Sequence, residues 1–184
     1  MTNRQFIEDL GLSLKEDNTH ANREKWARFI IKYNFSLIDL AVLLNSERVI
    51  AMRFMWLIGH ICDLNPGFVY PYTEYFFSKR SAEKFADYKR SLARMFYLSG
   101  VPKEIEGEAI HVMFNWLLDA KANVSTKDYC LKALEKLSEQ HMDLKNELKM
   151  ILEEQQGRNT AAFDRKIEKS LKKLNTVKHR NFII

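Results

Sequence analysis

Glycine, proline and cysteine are scarce in this chain of 184 residues, at six, three and two. So few turn-formers argue against many short strands joined by tight turns. Six scattered glycines also leave little material for a phosphate-cradling loop or a dinucleotide fingerprint, and neither motif occurs. Cys62 and Cys130 stand alone inside apolar helical segments. This predicts free thiols acting as small core residues in a reducing compartment. No apolar run approaches the roughly 18–20 residues of a membrane span, and the opening MTNRQFIEDL lacks the apolar stretch of a signal peptide. A cytoplasmic protein without membrane contact is expected.

What is present is helix. The composition is 46% hydrophobic and 29% charged, and apolar residues recur at steps of three and four with no convincing strand alternation. The pattern predicts a short helix over Asn3–Leu10, then one over Thr19–Tyr33. Ser36-Leu-Ile-Asp39 has the form of a capping box and opens a helix carrying Leu37, Leu40, Ala41 and Leu44. Ser46 starts the next, which is apolar nearly all round and stops at Asn65-Pro66-Gly67. Further helices are expected around Tyr72–Lys79, over Ser81–Leu98 up to Gly100, from Pro102 to near Ala120, from the box Ser125-Thr-Lys-Asp128, over Asp143–Gln156 and over Asn159–Asn175.

These helices come in pairs. Second members start at Ser46, Ser81, Ser125 and Asn159, at intervals of 35, 44 and 34 residues. First members start near Asn34, Phe68, Pro102 and Asp143. A two-helix unit recurring at that spacing is the mark of an α-solenoid, because one unit buries its apolar face only against its neighbours. The expected fold is therefore all-α, a right-handed α-α superhelix of about four helix pairs. Residues 1–33 would cap it, 34–175 would form the repeats and 176–184 a tail. Its core would include Phe29, Leu40, Met52, Met55, Ile58, Met95, Ile110, Leu117, Leu131, Leu134, Leu148 and Leu171.

The run LKALEKLSEQHMDLKNELKMILEEQ followed by AAFDRKIEKSLKKL resembles the end of HEAT-like and armadillo-like repeat proteins, including the bacterial alkylation-repair type. The resemblance extends from about Asn34 to Leu174. It implies a stack of helix pairs that binds other macromolecules on its concave face. Size and pattern are also similar to short bacterial helical proteins named adenylosuccinate lyase. The Gly-Ser-Ser-x-Met-Pro-x-Lys loop of true lyases does not occur here, so lyase chemistry is not expected.

No residue pattern announces catalysis. Glu108-Ala-Ile-His111 has the Glu-x-x-His spacing of di-iron bundles, but no second copy exists. Glu104, Glu108, His111, Asn115 and Asp119 read instead as the polar stripe of an amphipathic helix. His20, His60, His111, His141 and His179 are dispersed along the chain without zinc-ligand spacing. There is no G-x-S-x-G turn. No catalytic residue, cofactor or metal is expected. The aromatic stretch Pro66–Phe77 reads as packing between repeats.

Charge is unevenly placed. Residues 1–120 hold 15 Lys and Arg against 15 Asp and Glu, whereas 121–184 hold 14 against 9. Second helices line the concave side of such stacks, and there the cations and aromatics align. Arg53, Trp56 and His60 share one face, and Arg90, Arg94 and Tyr97 another. Lys132 and Lys136 follow, then Arg165, Lys169 and Lys172. In register they would make a basic ladder with aromatic rungs. The expectation is a non-catalytic scaffold gripping a protein or peptide partner, with nucleic acid as the alternative.

Overall fold

Local signals start most of the helices where the sequence places them. A computed structural model describes residues 3–80 and 86–176. The described residues contain no strand. Helix α1 spans Asn3–Glu16 and α2 His20–Lys32. Helix α3, Leu37–Leu40, tightens into a 3-10 segment, Ala41–Asn45, before α4, Arg48–Leu64. Helix α5 (Pro66–Val69) and α6 (Thr73–Lys79) flank a short 3-10 turn, and α7 is Ala86–Ser99. Then come α8 (Glu106–Leu118), α9 (Val124–Ser138), α10 (Met142–Gln155) and α11 (Ala161–Asn175). The start expected at Ser81 and the tail from residue 177 lie outside the described residues. No helix is long and apolar enough to cross a membrane among those residues.

Caps explain several starts and correct others. Thr19, Asn65, Asn123 and Thr160 each accept a backbone N–H of the first helical turn. Ser36 accepts from the Asp39 amide as expected. The box at Ser125 does not form. Asn123 caps that helix from two residues earlier, so Ser125 falls inside the first turn and donates to the Asn123 side chain. Ser46 does not start α4 but ends the 3-10 segment before it, its backbone N–H donating to the Leu43 carbonyl, and Glu47 stands at the start of α4 without a side-chain cap bond. In the segment after Ser36, Leu37, Leu40 and Leu43 are buried rather than Leu44. That step of three is the 3-10 period.

The second helices of each pair form one row: α4 packs on α2 and α7, α7 on α9, and α9 on α11. Helices α5, α8 and α10 back this row. From Arg48 to Val124 is 76 residues for two units, and from Val124 to Ala161 is 37 for the next. Helix α4 is apolar nearly all round because α1, α2, α5 and α7 all pack against it, and its one polar face carries His60 and Asp63. Of the expected core, Leu40, Met55, Ile58, Met95, Leu117, Leu131, Leu134, Leu148 and Leu171 are buried. Phe29, Met52 and Ile110 are only half-buried. Helix α1 is longer than expected and sinks Phe6, Leu10 and Leu14 into the core while Arg4, Gln5 and Glu8 stay exposed. The aromatic stretch packs as expected: Phe76 and Phe77 are buried, and the Tyr88 hydroxyl donates to the Phe76 carbonyl at 2.6 Å.

Arg53 has a structural task. Its Nη1 donates to the carbonyls of Leu14 and Lys15, both at 2.8 Å. These are carbonyls of the last turn of α1, which have no partner within the helix. Arg53 thus fastens α1 to α4, and it is not a rung of the ladder. Arg53→Ala should lower stability by about 1.5–3 kcal/mol, the usual loss for hydrogen bonds from a charged group. Urea denaturation checks this through the midpoint at unchanged slope. Unaltered stability would return Arg53 to the binding surface.

Candidate binding groove

One turn of α4 separates Trp56 from His60, and one turn of α7 separates Arg90 from Arg94, so each pair shares a helix face. Packing of α4 on α7 brings the two pairs together. They line a groove of about 510 Å³ with Asn18, His20, Arg23, Asp63, Ser91, Ser125 and Tyr129. Four of the expected ladder residues therefore meet in one place.

Ring faces and cations alternate across it. The Arg90 guanidinium lies 5.7 Å from the Trp56 ring centroid, and that of Arg94 lies 5.7 Å from Tyr129. Beside the groove, the Tyr97 and Tyr129 rings are tilted against each other with centroids 6.3 Å apart, and the Lys132 ammonium lies 5.6 Å from each ring. Such contacts hold the flat faces and cations in fixed positions. The Trp56 indole N–H has no hydrogen-bond partner. Gly59 makes room for the arrangement, because a Cβ there would meet Arg94 Nη1 at 3.1 Å. Arg94 can therefore lie across α4 and form its ion pair with Asp63.

Most cations here are already paired. Arg90 meets Asp87 at 3.0 Å and Lys132 meets Asp128 at 2.8 Å. Asp128 also takes Lys166 from α11 at 2.6 Å. Burial works to raise the Asp128 carboxyl, but hydrogen bonds from Lys132 and Lys166 outweigh it and hold the group below its ordinary value. A carboxyl depressed in the folded state stabilises the protein above the unfolded value near pH 4. That contribution is lost as pH falls through the folded value. The melting temperature of Asp128→Asn should therefore lie below wild type at pH 7 and converge with it in acid. A gap that persists in acid would mean the loss is one of packing.

The rest of the expected ladder is elsewhere. Lys136 donates to the Tyr97 carbonyl at 3.4 Å and lines a separate cavity of about 170 Å³. Arg165, Lys169 and Lys172 are exposed on the side of α11 opposite the buried Phe163, Ile167 and Leu174. The cations of α11 that turn toward α9 are Lys166 and Lys173, the latter paired with Glu135 and Glu139. Basic charge on α11 therefore splits into a pinned pair, Lys166 and Lys173, and an outer set, Arg165, Lys169 and Lys172. Trp116 is buried away from the groove.

Sequence reasoning missed His20, Arg23, Asp63 and Tyr129. Asp63 continues the face of Trp56 and His60 by one more helical step, so the same periodicity could have found it. His20 and Arg23 carry no such signal, since they belong to α2 ahead of the repeats. Two of the histidines, dispersed in sequence, come together in space. The His20 and His60 rings meet edge to face with centroids 4.8 Å apart. Burial first, and then the charge of His20, push His60 below its ordinary value, so its imidazole is neutral near pH 7. Glu108, His111 and Asn115 form an exposed stripe on α8, Glu104 is exposed in the 3-10 turn ahead of it, and Asp119 is half-buried just past its end.

A family model described as the HEAT repeat domain matches residues 31–174. No curated protein and no solved structure gives a match to the chain.

Proposed function

Given that the chain belongs to the HEAT repeat domain family, we propose that it is a non-catalytic protein-interaction scaffold that holds a segment of a partner protein in the groove between α2, α4, α7 and α9. One observation carries this reading: Trp56 and Tyr129 present ring faces beneath the guanidinium groups of Arg90 and Arg94 in one groove. Aromatic and Arg side chains held in place are the types that dominate protein interfaces.

Nucleic acid is the weaker alternative. Phosphate binding draws its strength from counterions released by Lys and Arg. In this groove Arg90 and Arg94 each hold a carboxylate of the same chain, which leaves less net charge to neutralise phosphates.

A photo-crosslinking residue placed at Ser125, on the exposed rim of the groove, tests the reading in the native host. Met150, exposed on the far helix α10, serves as the control position. Protein adducts specific to position 125 are expected. Adducts dominated by nucleic acid, or equal yields from both positions, would overturn it.

A further inference from the structure

We propose that His20, Glu24 and His60 form a three-ligand site for a zinc-class divalent cation, with an open coordination position toward the groove. The site stands on its own geometry and does not depend on what occupies the groove.

His20 and Glu24 lie four residues apart on α2 and so share a face, and α4 packs beside them carrying His60. One ligand atom from each of the three lies within 4.8 Å of the others. His20 Nδ1 is 3.7 Å from Glu24 Oε2. The other carboxylate oxygen, Oε1, accepts both bonds from Arg28, at 2.9 and 2.6 Å. Arg28 therefore orients the carboxylate while leaving Oε2 available, as outer partners of metal ligands do. A second observation points to a ligand. His60 Nε2 is shut off from solvent and makes no hydrogen bond, which is costly for a polar atom. Ligation through that nitrogen would satisfy it. A His20–Glu24 ion pair alone would not.

The donor set selects the metal. Two imidazoles and one carboxylate suit zinc and its neighbours, whereas calcium and magnesium want mainly oxygen. Ligand atoms around a tetrahedral zinc ion sit roughly 3.3 Å apart, given bonds of about 2.0–2.1 Å. The His20 Nδ1–Glu24 Oε2 separation of 3.7 Å is already close to that, and His20 is exposed and able to adjust. Three protein ligands leave a fourth position. His20 and His60 both line the groove, so a donor group of a bound segment could fill it.

The test uses the full chain without an affinity tag, stripped of metal by chelator and titrated with zinc chloride by calorimetry. One equivalent should bind, with affinity in about the micromolar range or tighter. Cobalt substitution should give the visible absorption of a four- or five-coordinate ion. His20→Ala and Glu24→Gln, both on the surface of α2, should each weaken zinc by at least about tenfold. His60→Ala should do the same while its circular dichroism stays that of wild type. Absence of saturable one-equivalent binding would overturn the site. Full affinity in a His20→Ala, His60→Ala double variant would also overturn it, by placing the ion elsewhere.

Discussion

Truncating Trp56 and Tyr129 to alanine should nearly abolish capture of the partner through the groove. Rigid aromatic anchors in an interface centre cost about 2 kcal/mol or more each when removed, roughly thirtyfold in affinity. Both rings are half-buried in the free protein and held by Arg90 and Arg94, so the double loss will not be the simple product. Arg90→Ala and Arg94→Ala should act differently. Each removes a cation that already has a carboxylate, so the main effect falls on association rate and its salt dependence. Affinity measured between 50 and 200 mM salt separates the two readings. A protein segment anchored on rings should lose little over that range. A nucleic acid gripped by six or more phosphate contacts would lose on the order of a thousandfold. If the aromatic variants bind as well as wild type, the groove is not the interface.

The second large effect is on stability. Phe54→Ala should destabilise the protein by about 3–5 kcal/mol, through lost transfer energy plus the cavity left behind. Phe54 is fully buried on α4, the helix contacted from α1, α2, α5 and α7. Neighbours fixed on every side cannot collapse into the gap, which places the cost toward the upper end. Met150→Ala, on a side chain 70% exposed, should change stability by less than about 0.5 kcal/mol. Urea denaturation of both variants gives the comparison. A small loss at Phe54 would mean that the α4 environment relaxes, contrary to close packing among second helices. Such a loss also carries a functional consequence, because α4 supplies Trp56, His60 and Asp63 to the groove.

Helix identity and the pairing of helices were legible in the chain because their causes are local. Apolar residues at steps of three and four determine which face each helix must bury, and a unit with one buried face requires a neighbour. Thr19, Ser36 and Asn65 act within three residues of their own positions. Gly100 ends α7 with a positive φ of 97°, which glycine adopts without a steric penalty. Even the four groove residues Trp56, His60, Arg90 and Arg94 could be read from helical spacing, since each pair lies on a face its own helix leaves polar.

What only the tertiary structure decided is what each polar face meets. Arg53 shares the spacing of Trp56, but its partners are carbonyls 38 and 39 residues away. Arg94 and Asp63 are 31 residues apart, and Lys136 reaches the Tyr97 carbonyl across 39. Helical periodicity specifies a direction around one axis and is silent on the rotation and offset of the next helix. Those are determined by how the buried side chains of two helices interlock. The same long-range geometry turns Arg165, Lys169 and Lys172 outward and sets Lys166 and Lys173 on α9. It also places His60 beside His20 and Glu24, a pair one turn apart on α2 that nothing in the linear order connects to α4.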